Sequence, residues 1–377
     1  MRLSSFVLLT AFVLAGPAMA QVYPFSWDHA TVYQVVTDRF SNGDSSNDFA
    51  YGRGLDGEGN EYTVDPSGHF HGGDYEGLLG WLEDGYFTDL GVNALWLSAP
   101  YEQVHGWVGG GDGDFQQYAY DASWPFDYTE FERAFGEAAV FGELTKMARE
   151  QSMRIIVDAD LNHVGPSTMH DMAAYGFGGL NGENWRTWQP SSRVGWQSYL
   201  SDLVTVTDST DGWQQWWGSD WVRANIVGYE ACGKDEQSQC VDGLPDIRSD
   251  VEVDSLPPFL VLKWGEEKTL AELAELNAFF KRTGAPRTAA NHVVKWLVDW
   301  VVEQQIDGFH LREADGIDPV VAGLLIQEVS RAYRARTADT DAPFLILAAV
   351  EAPLELPVGS GVDWRIISEY ESHDSLP

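Results

Sequence analysis

The sequence predicts an α/β protein: a (β/α)8 TIM-type barrel with a domain inserted after strand 3. Three observations predict it. Short apolar, β-rich runs alternate with helical patterns, the rhythm of a parallel sheet covered by helices. That rhythm breaks once, over an irregular stretch from about Val164 to Arg282 rich in Trp, Gly, Ser and Asp, and then resumes. Finally, the turn after the first strand, Val36-Thr37-Asp38-Arg39, is unlike the GxGxxG of a dinucleotide-binding doubly wound sheet.

Taken in order, Ala30–Val36 (ATVYQVV) reads as strand 1, and Tyr75–Phe87 as a helical stretch. Val92–Leu97 is strand 2, followed by a helix around Gly136–Gln151, and Arg154–Ala159 (RIIVDA) is strand 3. The glycine run Gly109–Gly111 lacks the Lys-Ser/Thr of a phosphate-binding P-loop and is expected to be a flexible loop. After the insertion come a strongly apolar helix at Ala290–Gln304, strand 4 at Gly308–Arg312, a helix at Val320–Arg334 and strand 5 at Phe344–Val350. Val362–Ile367 begins a sixth strand. The expected organisation is therefore a leader at 1–20, a first barrel part at 21–163, an inserted region at 164–282 and a second barrel part at 283–377. A closed barrel needs eight strands, so the expectation is either a chain truncated after strand 5 or 6 or an open edge covered in some other way.

With 23 basic and 58 acidic residues the net charge is −35, which opposes binding to nucleic acid or to an anionic membrane. The ligand expected of so acidic a chain is neutral or cationic. Arg2, the apolar run Phe6–Leu14 and Ala18-Met19-Ala20 have the form of a secretory signal cleaved before Gln21. The run is too short to span a bilayer, so the expected location is secreted or periplasmic. Cys232 and Cys240 share one polar loop; an oxidising compartment favours a disulfide between them, and a metal pair is the weaker alternative.

Asn42, Asp44, Asn47 and Asp48 place four oxygen-bearing side chains in one short loop, with Asp74 after the next glycine pair. Such hard oxygen ligands suit calcium, while composition alone favours an ion-free Asx-rich turn. His69-x-His71 has zinc-like spacing but reads more simply as two surface or core histidines.

Several segments, in order, resemble the alpha-amylase family of glycoside hydrolases (family 13), most of all periplasmic alpha-amylases and cyclodextrin glucanotransferases. They are Tyr33-Gln34-x-x-Thr37-Asp38-Arg39-Phe40-Ser41-Asn42-Gly43-Asp44, His71-Gly72-Gly73-Asp74, Asp158-x-x-x-Asn162-His163, Leu244-Pro245-Asp246, Ile306-Asp307-Gly308-Phe309 and Val350-Glu351. The resemblance implies α-glucan or malto-oligosaccharide as substrate, with Asp158, His163 and His310 at substrate-binding positions. It implies a calcium held by Asn42, Asp44, Asn47, Asp48, Asp74 and the main chain of Gly72. A second calcium is implied at Asn162, Asp246 and the carbonyl of Gly316.

Retaining glycoside hydrolysis needs a carboxylate nucleophile and a carboxylic acid about 5–5.5 Å apart across the scissile bond. By resemblance Glu351 fills the acid position. The nucleophile position, four residues after Gly308, is Arg312, and the family's arginine two residues earlier is His310. A guanidinium stays protonated and has no lone pair to attack an anomeric carbon. Glu313 is a poor replacement, because the next residue on a strand points to the opposite face unless a bulge re-aims it; Asp315, further on in the loop, is a poor one too. Asp121 and Ser123 stand where the family has a histidine and a stacking tyrosine, Asp315-Gly316 replaces Lys-His, and His373-Asp374 is read as a coincidental match to a later motif. The expected function is thus an alpha-amylase-like hydrolase with weak or absent activity. The alternatives are a non-catalytic oligosaccharide-binding relative, decided by whether Trp213, Trp216 and Trp217 are exposed or core, and a truncated non-functional product.

Overall fold

The computed structural model describes residues 25–55, 59–61, 68–110, 115–175, 216–225, 228–337, 343–348 and 362–366. In chain order the strands are β1 (Val32–Val35), β2 (Ala94–Leu97), β3 (Tyr101–Gln103), β4 (Val108–Gly110), β5 (Phe115–Gln117), β6 (Pro125–Phe131), β7 (Arg154–Asp160), β8 (Val222–Arg223), β9 (Asp246–Ile247), β10 (Gly308–Arg312), β11 (Phe344–Ala348) and β12 (Val362–Ile366). Six of them form one sheet in the order β1-β2-β7-β10-β11-β12, and every pairing is parallel. Spatial order follows chain order without reversal. That is how successive staves of a β/α barrel are laid down, whereas a doubly wound sheet turns back at a switch point.

Strand side chains alternate between faces, and the sequence separates two kinds of residue accordingly. Leu95, Leu97, Ile155, Val157, Phe309, Leu311 and Ile346 point outward into a large core beneath the helices. Ala94, Trp96, Ile156, Leu345 and Leu347 point inward and form a second, smaller cluster with Trp27. The Trp27 indole donates to the Pro343 carbonyl at 2.7 Å, just before β11 begins, so the turn Trp27–His29 plugs the end where strands start.

The crossover helices are bounded by recognisable caps. Asp74 accepts from the Gly77 amide at the start of Tyr75–Glu83, Thr288 from Asn291 at the start of Ala289–Glu303, and Asp318 from Val320 before Pro319–Arg336. Buried Asp307, just before β10, receives Arg149 at 2.7 Å, the Ile155 amide at 3.0 Å and the Tyr333 hydroxyl at 3.2 Å, tying two helices to the sheet. No described helix is long and apolar enough to cross a membrane.

Three expectations need correction. The helical stretch Tyr75–Phe87 is two helices, broken where Gly85 adopts φ 77°. Gly109 and Gly110 are not a loose loop: Val108–Gly110 pairs antiparallel with Phe115–Gln117, and Gly111 lies outside the described residues. The irregular stretch does not extend to Arg282, because Pro258–Thr283 is helical, kinked at Gly265 (φ 72°). Between β7 and β10 the described chain also carries the short β8–β9 ladder and the Cys232–Cys240 disulfide. Trp216 and Trp217 are core residues at 1% and 2% exposure, against Phe259; Trp213 lies outside the described residues.

Candidate active site at the mouth of the sheet

Where the inward-facing positions reach the C-terminal ends of the strands, they change from apolar to polar. Gln34, Asp158, His310, Arg312 and the indole edge of Trp96 line a cavity of about 300 Å3, with Ser98, Asp121 and Glu313 also at its wall. Strand register sets this up: His310 lies level with Asp158, and Arg312 with Asp160.

Asp158 is the hub. Its Oδ1 accepts from Trp96 Nε1 at 2.7 Å and pairs with His310 Nδ1 at 2.8 Å, while Oδ2 accepts from the Arg312 guanidinium at 2.5 Å. Burial alone would raise its pKa, but Arg312, His310 and Trp96 outweigh that and hold it at about 2. The same guanidinium donates to the Asp121 carbonyl at 2.8 Å and lies 4.0 Å from Asp160. Burial works against its charge, yet Asp158 and Asp160 raise its pKa further, so Arg312 is a permanent cation. Asp160, behind this pair, accepts from the Tyr101 hydroxyl at 2.7 Å.

The structure brings Asp158, His310 and Arg312 together. It places His163 elsewhere: its ring is buried, 3.0 Å from the Ser123 carbonyl and 3.7 Å from Asp160, and it does not line the cavity. Glu351, His373 and Asp374 lie outside the described residues. The strand ends at Arg312, and the exposed Glu313 adopts a left-handed backbone (φ 48°) and is among the residues at the cavity wall, so strand alternation does not decide where its side chain points. Trp96 was not singled out as a site residue, although its inward register on β2 is a signal the alternation carries.

The two candidate calcium clusters differ in what they offer. In the first, both Asp74 oxygens are engaged by backbone amides, Gly43 and Gly77 on Oδ1 and Asp44 on Oδ2, at 2.7–2.9 Å. Asp44 caps the Ser46 amide, and Asn42 donates to Asp48 at 2.7 Å. Asn47 Oδ1 is buried without a partner among the described residues, as a coordinating oxygen would be. A Cβ on Gly72 would meet Asn42 and Asp48 at 2.4 and 2.6 Å, so glycine is required there. In the second, both polar atoms of the Asn162 side chain are buried and unpartnered, and Gly316 crowds against them. Asp246 is brought alongside by its bridge to His163, with one oxygen paired to Arg223 at 2.8 Å. Both sets are oxygen-rich and fit a hard cation. Among the described residues, no three His, Cys, Asp or Glu side chains converge as a metal site. His69 packs edge-on to Tyr118, and the His71 amide donates to Asp38.

Comparison with known proteins agrees with this architecture. Residues 34–198 match the model of the alpha-amylase catalytic domain. The chain is 38% identical over 323 residues to the periplasmic alpha-amylase of Escherichia coli K12, covering 82% of this chain and 44% of that protein. It is 33% identical over 161 residues to a cyclomaltodextrin glucanotransferase of Paenibacillus macerans, covering 42% of this chain and 21% of that protein. The chain thus spans less than half the length of these relatives. A gamma-cyclodextrin glucanotransferase from alkalophilic Bacillus clarkii superposes with a TM-score of 0.53 at 17% identity, over 90% of this chain and 39% of that one. An Anoxybacillus alpha-amylase superposes with a TM-score of 0.50 at 18% identity, over 87% and 48%. These structures share the fold, and with the sequence relatives they lead to one conclusion: the chain belongs to the alpha-amylase family, glycoside hydrolase family 13, and is built on its TIM-barrel fold.

Proposed function

We propose that this chain is an exported or periplasmic protein that binds α-1,4-glucans or malto-oligosaccharides at the barrel mouth and hydrolyses them weakly or not at all. The observation that carries the reading is the Arg312–Asp158 pair. Arg312 stands at the position where the family resemblance places a nucleophile, and its guanidinium has no electron pair to donate to an anomeric carbon. Asp158 is tied to it and to His310, so neither group is free to exchange roles. A cation at this point also favours the ionised form of any nearby carboxyl group, the opposite of what an acid catalyst at Glu351 needs. What remains, a cavity that sets polar side chains beside Trp96, Val35, Val36 and Leu311, suits binding of a neutral sugar. Calcium at Asn42, Asn47, Asp48 and Gly72, and at Asn162, Asp246 and Gly316, belongs to the same reading; the buried unpartnered amide oxygens of Asn47 and Asn162 support it.

A second reading rests on Glu313: a carboxylate on the cavity wall substitutes for the missing nucleophile, and hydrolysis survives. One experiment separates the two. Purified protein is incubated with maltoheptaose and reducing-sugar release is followed for wild type, Arg312→Asp, Glu313→Gln and Glu351→Gln. The first reading expects little or no release above a no-protein blank, unaffected by Glu313→Gln, and no return to family-like turnover in Arg312→Asp, because Asp121 and Ser123 remain altered. Release abolished by both Glu313→Gln and Glu351→Gln establishes the second.

A further inference from the structure

A second cavity, of about 480 Å3, lies where β3, β6 and the kinked helix Pro258–Thr283 meet, and it shares no lining residue with the barrel mouth. Its volume falls within the roughly 300–1,000 Å3 common for small-molecule sites. Tyr51, Phe131, Tyr175 and Trp264 are among the residues that line it. Two are held rigidly. Trp264 donates its indole N–H to Asp127 at 2.6 Å, and Tyr51 stacks on His105 with ring centroids 3.8 Å apart and planes 10° from parallel. Tyr51 is kept at φ 61°, a conformation that costs a side-chain-bearing residue about 1–2 kcal/mol. Such strain persists where the surroundings over-determine it, often at ligand sites.

Apart from Arg133, whose guanidinium lies 5.4 Å over the Tyr51 ring, the charges lining the cavity are paired with one another or with a carboxylate behind the wall. Lys263 Nζ lies 2.6 Å from both Glu102 and Asp127, Lys268 pairs with Glu130, and His105 sits between Glu102 at 2.8 Å and Asp171 at 3.1 Å. A simple anion would have Arg133 alone to meet, beside Glu102 and Glu130, unless it broke the lysine–carboxylate pairs, and a simple cation would meet two lysines and that arginine. A hydrocarbon would strip water from all of them without replacing a hydrogen bond. A neutral polyol with apolar ring faces meets none of these costs: its C–H faces stack on the rings, and its hydroxyls donate to the carboxylates and accept from the ammonium groups.

We propose that this cavity is a second carbohydrate site, taking one or more glucosyl units of a malto-oligosaccharide independently of the barrel mouth. The choice of sugar rests on the function proposed above; the existence of a site separate from the mouth does not. Isothermal titration with maltotriose tests it on the whole protein, using Trp264→Ala and, as a surface change that leaves the buried network intact, Lys268→Ala for the cavity, and His310→Ala for the mouth. Melting curves confirm that each variant is folded. The expected result is two binding events, one weakened at least tenfold by either cavity variant and the other by His310→Ala. A single event lost in the cavity variants and untouched by His310→Ala upholds this site and removes the mouth as a binding site. A single event lost only with His310→Ala overturns this proposal and leaves the mouth reading standing. Absence of binding, or an event displaced by inorganic phosphate, overturns the carbohydrate assignment of the cavity.

Discussion

The inner face of the sheet has two halves that differ sharply although the same strands build both. At the end where strands begin, Ala94, Ile156 and Leu345 close against Trp27 in a dry apolar plug. Two residues further along β7 and β10, the same face carries Asp158, His310 and Arg312. The plug stabilises by removing apolar area from water and by close packing. The mouth works against stability, since each buried charge must be compensated before it is tolerated. Every strong group there is compensated: Asp158 by three donors, and Arg312 by Asp158 and a carbonyl. The difference shows how one set of strands carries both an apolar floor and a charged mouth: Arg312 is tolerated because a buried carboxylate lies within reach, and the floor beneath is packed independently of that pair.

This contrast is open to direct attack, and the largest effect is expected from separating the mouth pair. Asp158→Ala leaves Arg312 buried without its counter-charge and should cost about 3–5 kcal/mol, measured by urea denaturation. A loss below about 1 kcal/mol would mean that Arg312 swings out to water and that the mouth is not a compensated interior. The double change Asp158→Leu with Arg312→Met should come close to neutral, since an apolar pair of similar size removes both desolvation costs. At the floor the buried contacts of Ile156 are apolar, so Ile156→Ala should cost about 2–4 kcal/mol through lost burial and a cavity.

Next in size is a pH effect confined to the mouth. Asp158 is held at about 2, below its ordinary 3.8, so the folded state binds its proton less tightly than the unfolded chain. Its contribution is therefore complete above pH about 4 and is lost as pH falls through about 2. It amounts to about 2 kcal/mol. Asp158→Asn should flatten this part of the acid limb, while Ile156→Ala should shift stability equally at every pH. An acid limb unchanged in Asp158→Asn would show that the carboxylate is not stabilised in the fold.

Calcium gives a smaller expected shift. If Asn47 and Asn162 turn their buried oxygens to a bound ion, adding calcium to chelator-treated protein should raise Tm by a few degrees, following the logarithm of free calcium. Asn47→Ala and Asn162→Ala should each remove part of that rise. A melting curve indifferent to chelation would refute both sites.

How much of this was legible beforehand follows from the kind of signal each region carries. The six parallel strands were readable because short apolar runs with helical spacers have few alternatives; Gly308–Arg312 was read to the residue. The β3–β6 strands were missed, since their residues, such as Tyr101-Glu102-Gln103, mix charge and amide with aromatics in no clear alternation and are buried by tertiary packing. The helix Pro258–Thr283 was missed because Gly265 and a weakly segregated polar face obscure its period. At the mouth, the family resemblance singled out Asp158, His310 and Arg312, and strand register places them at one cavity. Alternation fails one step later at Glu313, because it holds only while the chain stays extended. The second cavity was not readable at all, as its walls come from segments up to two hundred residues apart.

That failure at Glu313 supplies the smallest and most discriminating prediction. A left-handed backbone is unfavourable for glutamate and free for glycine, so Glu313→Gly should relieve strain. Against this stands the greater entropy glycine brings to the unfolded chain, leaving a net gain of about 0.5 kcal/mol if the exposed carboxylate does nothing else. A measured gain of that order, with sugar binding unchanged, means that the turn after β10 is set by the backbone alone and that the carboxylate faces the cavity by accident of geometry. A loss of 1 kcal/mol or more would mean that the side chain holds contacts across the mouth strong enough to outweigh its strain. In that case the mouth would contain, besides Asp158, a further anion positioned by the fold, and the contrast between an apolar floor and a mouth of mutually compensated charges would have to give way to one between a floor and a mouth that holds a carboxylate in reserve.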